Sequence, residues 1–251
     1  MAGVFRDQIK AGDLLIGTLV TLASPEVTEI MVETGFDWLF IDCEHAPFEA
    51  QTAQALLQAA GDRCPCAIRV PSGDKVWIKK ALDIGAAGII VPQVNSPEQA
   101  ERVVRLCKYP PQGTRGVGIA RAHGYGRCFS EYVERANEAV AVILQAEHID
   151  AVNTVEAIVQ VPGIDAILIG PYDLSASLSK TGKLNDPEVR AAIVRVTKAC
   201  TDAGLRLGAF GVTAEAVQPF IKEGFTLIAV GVDTLFLARA AKEALAGLGR
   251  Y

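Results

Sequence analysis

The sequence lacks the features that mark proteins of membranes or nucleic acids. No apolar run reaches the roughly 20 residues that a membrane helix needs. The 29 acidic residues outnumber the 24 basic ones and give a net charge of −5, and nucleic acids and anionic membranes repel an acidic chain. No basic segment followed by an apolar one stands at the beginning, so we expect no signal peptide and a cytoplasmic protein. We therefore expect small-molecule ligands rather than nucleic acid or membrane partners.

Paired cysteine motifs are also missing, although the chain has six cysteines. Four of them stand alone, and Cys64 and Cys66 are too close in sequence for an easy disulfide. In a chain of 251 residues without an export signal we expect reduced thiols. A metal site built on Cys64 and Cys66 would need a second pair, which the sequence does not contain.

A third absence concerns the fold. Residues 20–24, which follow the first predicted strand, contain no glycine-rich phosphate turn of the kind that an open nucleotide-binding sheet carries. Instead, short continuous apolar segments rich in branched residues alternate with helical patterns, as expected for parallel strands buried on both faces. The predicted strands are residues 14–20, 38–41, 66–70, 88–94, 140–146, 166–171, 206–210 and 227–232. Eight such units predict an α/β fold, a single-domain (β/α)8 barrel over residues 1–251, with an open doubly wound sheet as the competing fold.

Polar side chains follow these apolar strands. The carboxyl ends of the strands form the ligand-binding face of such a barrel, so we expect the side chains to converge on one mouth. They are Asp42, Glu44 and His45 after strand two, Arg69 on strand three, Gln93 and Asn95 after strand four, Gln145, Glu147 and His148 after strand five, Tyr172 and Asp173 after strand six, and Asp233 after strand eight.

Two of these carboxylates suggest a metal site. Glu147 and Asp173 follow adjacent strands, and two carboxylates held close together repel each other unless a divalent cation lies between them. Oxygen ligands of this kind suit Mg²⁺ or Mn²⁺. The alternative is that each residue caps the helix that follows it, a role for which Asp173 is well placed.

The remaining charged groups suggest acid–base chemistry rather than a covalent amine intermediate. Arg69 lies within an apolar strand and needs an anionic partner, either substrate oxygens or an ion pair with Asp42 or Glu44. His45 is suited to act as a general base at neutral pH. No lysine stands at a predicted strand end, so Schiff-base catalysis lacks its nucleophile and the metal interpretation is favoured.

Several sequence blocks, in register over nearly the whole chain, resemble the HpcH/HpaI family of class II pyruvate aldolases. The blocks are Phe36-Asp37-Trp38, Asp42-Cys43-Glu44-His45-Ala46-Pro47, Arg69-Val70-Pro71, Tyr109-Pro110-Pro111-Gln112-Gly113-Thr114-Arg115-Gly116, Gln145-Ala146-Glu147, Ile169-Gly170-Pro171-Tyr172-Asp173-Leu174-Ser175 and Val230-Gly231-Val232-Asp233.

The resemblance implies a barrel enzyme that uses a divalent metal (Mg²⁺, Mn²⁺ or Co²⁺) to cleave 4-hydroxy-2-oxo acids reversibly into pyruvate and an aldehyde through a metal-bound enolate. Its substrates would be a small 2-oxo acid and an aldehyde. The family roles fall on these positions: Glu147 and Asp173 as metal ligands, Arg69 as the residue that stabilises the pyruvate enolate, His45 as the base, Gln145 as a contact for substrate and water, and the backbone at Tyr172 and Asp173 as the site of the substrate carboxylate.

The resemblance also implies a homo-oligomer, a trimer or a hexamer, with shared active sites. Asp83 matches the residue that orients the catalytic histidine, but it precedes strand four and so belongs to the opposite face of the barrel. We therefore expect Asp83 to reach His45 only from a neighbouring subunit.

Three features depart from the family pattern. His148 stands where family members often have threonine, so it is a candidate extra ligand or an obstruction of the site. Tyr172 is bulkier than the expected alanine and should narrow the pyruvate end. Residues 118–127, with His123 and Tyr125, look shortened, and we expect aldehyde specificity to reside there.

Other functions remain open at this point. Oxaloacetate decarboxylation or a related carboxylate lyase reaction would use the same enolate. A non-catalytic sensor of oxo acids should lack at least one of Glu147, Asp173 and Arg69, and all three are present. A phosphosugar barrel would carry glycine-rich turns after strands seven and eight, where we instead expect Phe210 and Val230 to form an apolar wall around a pyruvate methyl group.

Overall fold

The computed structural model describes residues 2–249 and confirms the predicted barrel. Eight parallel strands pair in sequence order and β8 closes on β1. The strands are β1 (Leu15–Val20), β2 (Trp38–Asp42), β3 (Cys66–Arg69), β4 (Gly88–Val91), β5 (Ala141–Ala146), β6 (Ala166–Ile169), β7 (Arg206–Gly211) and β8 (Leu227–Val232).

Helices connect the strands on the outside of the barrel. They are α1 (Ala2–Ala11), α2 (Pro25–Glu33), α3 (Ala50–Ala60), α4 (Lys75–Asp83), α5 (Pro97–Cys107), α6 (Phe129–Ala139), α7 (Ile149–Asn153), α8 (Val155–Ile158), α9 (Pro171–Ser177), α10 (Pro187–Asp202), α11 (Ala214–Lys222) and α12 (Asp233–Gly247). A short 3-10 helix, Arg121–His123, interrupts the long segment between α5 and α6.

Local sequence signals explain where several helices begin. The side chains of Ser24, Asp74, Ser96 and Thr213 each accept a backbone N–H of the helix that they precede, and such N-caps satisfy donors that have no partner within the helix. Proline occupies the first turn after Ser24 and Ser96, where its missing N–H costs nothing. Two short helices, α7 and α8, follow β5 and meet at Thr154.

The core has two layers. A large apolar cluster, which includes Leu39, Ile68 and Val142, lies between the strands and the surrounding helices. A smaller cluster fills the barrel interior and includes Trp38 and Phe40. Helix α1 closes the amino-terminal end of the barrel with the fully buried Phe5, whose ring centroid lies 5.9 Å from that of Trp38. Because α1 covers the amino-terminal end, a ligand can enter the barrel interior only from the other end, where β1–β8 finish.

All six cysteines are free thiols; five are buried and Cys128 is exposed. Burial raises the pKa of Cys43 to about 12 and that of Cys64 to about 11. No helix among residues 2–249 is long and apolar enough to span a bilayer.

The closest backbone approach inside the barrel is at Gly17 on β1. A Cβ atom at this position would lie 2.6 Å from the carbonyl oxygen and from the indole Nε1 of Trp38. We expect Gly17→Ala to lower the free energy of unfolding by about 1–3 kcal/mol, because neither a paired strand nor a buried indole can move away cheaply. Urea unfolding followed by tryptophan fluorescence measures the change.

The matched control is Gly247→Ala at the end of α12, where an added Cβ meets no heavy atom within 4 Å. This variant should unfold at the same urea concentration as the parent or slightly above it, since alanine favours the helix. Equal stability of both variants and the parent would contradict the packing described for Gly17.

Candidate active site

A cavity of about 250 Å³ opens at the carboxyl ends of the strands, where the sequence predicts the site. Its wall includes six of the predicted residues: His45, Arg69, Gln145, Tyr172, Asp173 and Phe210. A larger cavity of about 470 Å³ lies outside the barrel, between the segments that follow β3 and β4 and the helix α5. We assign the site to the smaller cavity, because the charged groups that the strands carry converge there.

An ion pair between Asp42 and Arg69, on neighbouring strands, fixes the position of the arginine that lines the cavity. Asp42 and Arg69 stand in register on β2 and β3. Arg69 donates from Nε to Asp42 Oδ1 at 2.9 Å and from Nη2 to Oδ2 at 2.8 Å. Burial alone would raise the pKa of Asp42, but the hydrogen bonds and the charge of Arg69 hold this pKa below its usual value. The ion pair that the sequence leaves as an alternative is therefore present.

The ion pair leaves one nitrogen of the Arg69 guanidinium free to donate. Its Nη1 has no hydrogen-bond partner among the described residues, and Arg69 lines the cavity. The Phe40 ring lies 5.1 Å from Arg69 Cζ and supports the guanidinium from one side. Asp42 thus holds the arginine while one of its nitrogens remains available to a ligand, so both sequence-based interpretations of Arg69 agree with this geometry.

Glu44 joins the arginine to the histidine. Its Oε2 lies 3.2 Å from Arg69 Nε and 3.6 Å from His45 Nε2. Burial raises the pKa of Glu44, with Asp42 and Asp173 adding to the effect and Arg69 and His45 opposing it. The His45 side chain is 67% exposed, so the imidazole stands at the mouth, accessible to a ligand or to another protein surface.

Glu147 lies beneath the cavity wall, only 2% exposed. Its Oε1 accepts the backbone N–H of Gln93 at 2.9 Å, and its Oε2 accepts from Gln145 Nε2. Burial raises the pKa of Glu147 to about 7; the charges of Glu44 and Asp173 add to this, while the Gln93 N–H and Arg69 oppose it. Gln93 has φ of 55°, a left-handed conformation that is uncommon outside glycine.

Three observations fit a divalent cation beside Glu147. The carboxylates of Glu147, Glu44 and Asp173 destabilise one another's charge, which a cation would relieve. The buried Gln145 Oε1 has no hydrogen-bond partner among residues 2–249. Gly170 keeps the space open, since a Cβ there would lie 2.8 Å from Glu147 Oε2.

The protein supplies only part of such a coordination sphere. Among the described residues, no three or more histidine, cysteine, aspartate or glutamate side chains stand close enough to hold an ion by themselves. Glu147 and Asp173 are therefore the two expected protein ligands, and water and substrate oxygens would complete the shell, as is common for Mg²⁺.

Neither Asp173 nor Glu147 caps a helix, so the structure contradicts that alternative. Helix α9 begins at Pro171 after Gly170, which leaves Asp173 in the first turn with an exposed side chain. His148, in contrast, is a cap: its Nδ1 accepts the Asp150 N–H at 3.2 Å at the start of α7. His148 does not line the cavity, so the prediction that it adds a ligand or obstructs the site is wrong.

Val230 lies outside the cavity, whereas Tyr172 lies at its rim. Alternation along β8 turns Ala229 into the barrel and Val230 outward, where it packs on the outer core. The predicted wall is thus corrected: Phe210 lines the cavity, whereas Val230 does not. Tyr172 lies on the cavity rim, 60% exposed.

Asp83 and the segment 118–127 lie at the opposite end of the barrel from the cavity. Asp83 ends α4, ahead of β4, and accepts from Arg115 Nη2 at 3.0 Å. Arg121 donates to the carbonyl oxygens of Ile84 and Leu57, at the ends of α4 and α3. Within one subunit this segment does not line the cavity, so the expected role in aldehyde specificity would require a neighbouring subunit.

His123 is buried within this segment. Its Nδ1 accepts from Gly126 N at 3.1 Å, its Nε2 donates to the carbonyl oxygen of Gly118 at 2.7 Å, and its ring packs edge-on against Phe129. These contacts shape the segment itself.

Comparison with known proteins places this geometry in a family context. The family model described as HpcH/HpaI aldolase/citrate lyase matches residues 15–240. A 4-hydroxy-2-oxovalerate aldolase of Rhodococcus jostii is 40% identical over 237 residues, which cover 94% of this chain and 92% of the relative. A 4-hydroxy-2-oxo-heptane-1,7-dioate aldolase of Klebsiella pneumoniae is 40% identical over 249 residues, with 98% and 93% covered.

A solved structure agrees with the fold over the full length. The crystal structure of an HpcH/HpaI aldolase/citrate lyase family protein from Burkholderia cenocepacia superimposes with a TM-score of 0.94 at 34% identity and covers 98% of this chain and 99% of that one.

The Asp42–Arg69 pair yields a stability prediction. Asp42→Asn should lower the free energy of unfolding at pH 7 by about 3 kcal/mol, because a buried guanidinium loses its bidentate partner. Since the folded-state pKa of Asp42 is lowered, its stabilisation is present above the pKa of the unfolded chain and disappears as the pH falls through the folded value. Urea unfolding at several pH values should therefore show the two proteins converging below about pH 4.

Asp13→Asn serves as the control, because Asp13 is exposed and makes no side-chain hydrogen bond with the described residues. A stability of Asp42→Asn equal to that of this control at pH 7 would show that the ion pair contributes nothing to the fold.

Proposed function

The chain belongs to the HpcH/HpaI aldolase/citrate lyase family, and we propose that it is a divalent-metal-dependent class II aldolase. It cleaves 4-hydroxy-2-oxo acids reversibly into pyruvate, or a close analogue, and an aldehyde. The family is one of carbon–carbon lyases, and the relatives described above are aldolases. The observation that carries the proposal is the convergence of Arg69, Gln145, Asp173 and His45 on one cavity with Glu147 beneath it.

The residues present can hold the oxo-acid portion of the substrate. The N–H groups in the first turn of α9, at Tyr172 and Asp173, have no intrahelical acceptor and suit a carboxylate. The unpaired Oε1 of Gln145 is an acceptor for a water or a substrate hydroxyl. Phe210 supplies an apolar surface for the methyl end of pyruvate.

Arg69 is placed to stabilise charge that develops during cleavage. Its guanidinium is fixed by Asp42 before substrate binds, and a preorganised donor costs no reorganisation when the 2-oxo group becomes an enolate. A divalent cation held by Glu147 and Asp173 would add Lewis-acid stabilisation of the same negative charge.

His45 is the proposed base. In the cleavage direction the imidazole removes the proton of the C4 hydroxyl, the C3–C4 bond breaks, and its electron pair becomes the enolate of pyruvate while the aldehyde leaves. Protonation of the enolate at C3 then gives pyruvate. The exposed position of His45 at the mouth allows contact with the hydroxyl end of the substrate.

A second candidate is decarboxylation of oxaloacetate, or a related carboxylate lyase reaction. Loss of carbon dioxide from oxaloacetate leaves the same enolate, so Arg69 would serve equally. The family description, which joins aldolases with citrate lyases, favours including it.

We further propose that the enzyme is a homo-oligomer, a trimer or a hexamer, in which Asp83 of one subunit orients His45 of the next. The separation of the two residues at opposite ends of one barrel supports this proposal.

A cytoplasmic location is also proposed, on the basis of six free thiols.

The protein stripped with EDTA should lose pyruvate release from a 4-hydroxy-2-oxo diacid and regain it when Mg²⁺, Mn²⁺ or Co²⁺ is added back. Asp173→Asn should reduce kcat at least about 100-fold and weaken the metal response, because a ligand charge is lost. Pyruvate is measured by a coupled lactate dehydrogenase assay, with oxaloacetate run in parallel as the competing substrate.

Asp150→Asn is the matched control, since its carboxylate is exposed near the same face of the barrel but does not line the cavity. This control should keep the parental kcat. Full activity after complete metal removal would overturn the metal mechanism, and faster turnover of oxaloacetate than of every hydroxy-oxo acid would favour the second candidate.

A further inference from the structure

Three arginines are buried within the described residues, and one of them differs from the other two. Arg69 and Arg6 are closed pairs: in each case both oxygens of a carboxylate accept hydrogen bonds from the arginine. The partner carboxylates, Asp42 and Asp165, are 2% and 1% exposed. In both pairs the two carboxylate oxygens are satisfied within one chain.

Arg115 holds its carboxylate differently. Its side chain is fully buried, and Nη2 donates to Asp83 Oδ1 at 3.0 Å. The hydroxyl of Tyr132 accepts from both terminal nitrogens at 3.2 Å, and the ring of Tyr109 lies 4.5 Å from Cζ. The guanidinium is therefore fixed by two aromatic residues that leave it a single anionic contact.

The Asp83 carboxylate is presented outward by this arrangement. Its side chain is 23% exposed, and Oδ2 accepts no hydrogen bond from the described residues. A buried cation that pairs with only one oxygen of a surface carboxylate leaves the other oxygen for an external donor.

Apolar side chains stand exposed on the same part of the surface. Val76 lies two helical turns before Asp83 on α4 and is 55% exposed. The loop after Arg115 passes over α4, since a Cβ at Gly116 would lie 3.6 Å from the Lys79 side chain. Val117 and Ile119 in this loop are 58% and 78% exposed. A carboxylate among exposed apolar residues is suited to a protein interface.

We propose that Arg115 is a positioning residue for the active site of a neighbouring copy of this chain. It fixes Asp83 so that the open oxygen meets the imidazole of His45 at the mouth of the next barrel. The inference rests on the proposed function, in which His45 is the base. Because the contact joins the amino-terminal end of one barrel to the carboxyl-terminal mouth of another, two antiparallel barrels can make it reciprocally, and barrels in any other arrangement make it around a closed ring.

Mixed oligomers test this assignment. Arg115→Met and His45→Ala chains with different affinity tags are co-expressed, and oligomers containing both are isolated by two successive affinity steps. We expect Arg115→Met alone to lose roughly 10- to 100-fold in kcat with little change in the KM for the oxo acid, and His45→Ala alone to be inactive. The mixture should recover about one third of parental activity in a trimer, where each mixed ring joins one pair of intact halves, and about one quarter in a randomly mixed hexamer.

The matched control mixes His45→Ala with Arg69→Ala. These residues line the same cavity of one chain, so no pairing rebuilds an intact site and no recovery is expected. A second mixture, His45→Ala with Asp83→Ala, should recover like the Arg115 mixture. Recovery with Asp83→Ala but not with Arg115→Met would overturn the role of Arg115, and recovery with neither would overturn the shared site as well.

The result is separable from the proposed function, because the unmixed parent must first cleave a 4-hydroxy-2-oxo acid. Arg115→Lys is a second variant that should fold even if Arg115→Met does not, because lysine keeps the buried positive charge. It lacks the planar guanidinium that contacts Asp83 and Tyr132 together. A folded Arg115→Lys oligomer with parental kcat would contradict the proposal. Reduced kcat, restored in the mixture with His45→Ala, would support it.

Discussion

The bidentate contact between Asp42 and Arg69 is the constraint on which the rest of the site depends. A guanidinium inside a barrel mouth is expensive to bury, and the neighbouring strand supplies the carboxylate that makes it tolerable. Because both residues stand in register on β2 and β3, the strand pairing that builds the barrel also sets the direction of the arginine. The guanidinium of the candidate site is thus held by the same strand pairing that builds the fold.

The cost of unpaired charge also explains the rest of the site. The barrel interior is filled by apolar side chains, and the acidic groups of the site lie at the rim, where Glu44, Glu147 and Asp173 act on one another and Arg69 is the cation nearby. One guanidinium does not neutralise three carboxylates. The surplus negative charge is the physical reason that this mouth suits a divalent cation together with a substrate rich in oxygen atoms.

The sequence was sufficient to predict the barrel and half of the twelve residues that line the cavity. Eight apolar strands that alternate with helices, without a glycine-rich turn after the first strand, favour the closed barrel over the open sheet, and the strand ends determine which side chains meet. Contacts made by the backbone were not predictable: the N–H of Gln93 reaches Glu147 only because Gln93 adopts a positive φ. His148 and Val230 were misplaced for local reasons, a helix cap and the alternation of β8, which residue type alone does not reveal. Arg115 was visible only as part of a family block, since its burial depends on how the loop folds Tyr109 back onto it and on Tyr132 of α6.

The central claim is that a fixed guanidinium makes the enolate of a 2-oxo acid accessible at this mouth. Exchange of the pyruvate C3 protons for deuterium, followed by proton NMR with the metal-loaded protein, tests it without any aldehyde. The parent should catalyse exchange, and Arg69→Lys should slow it at least about 100-fold while pyruvate binding changes only slightly. Exchange at the parental rate in Arg69→Lys would contradict the account.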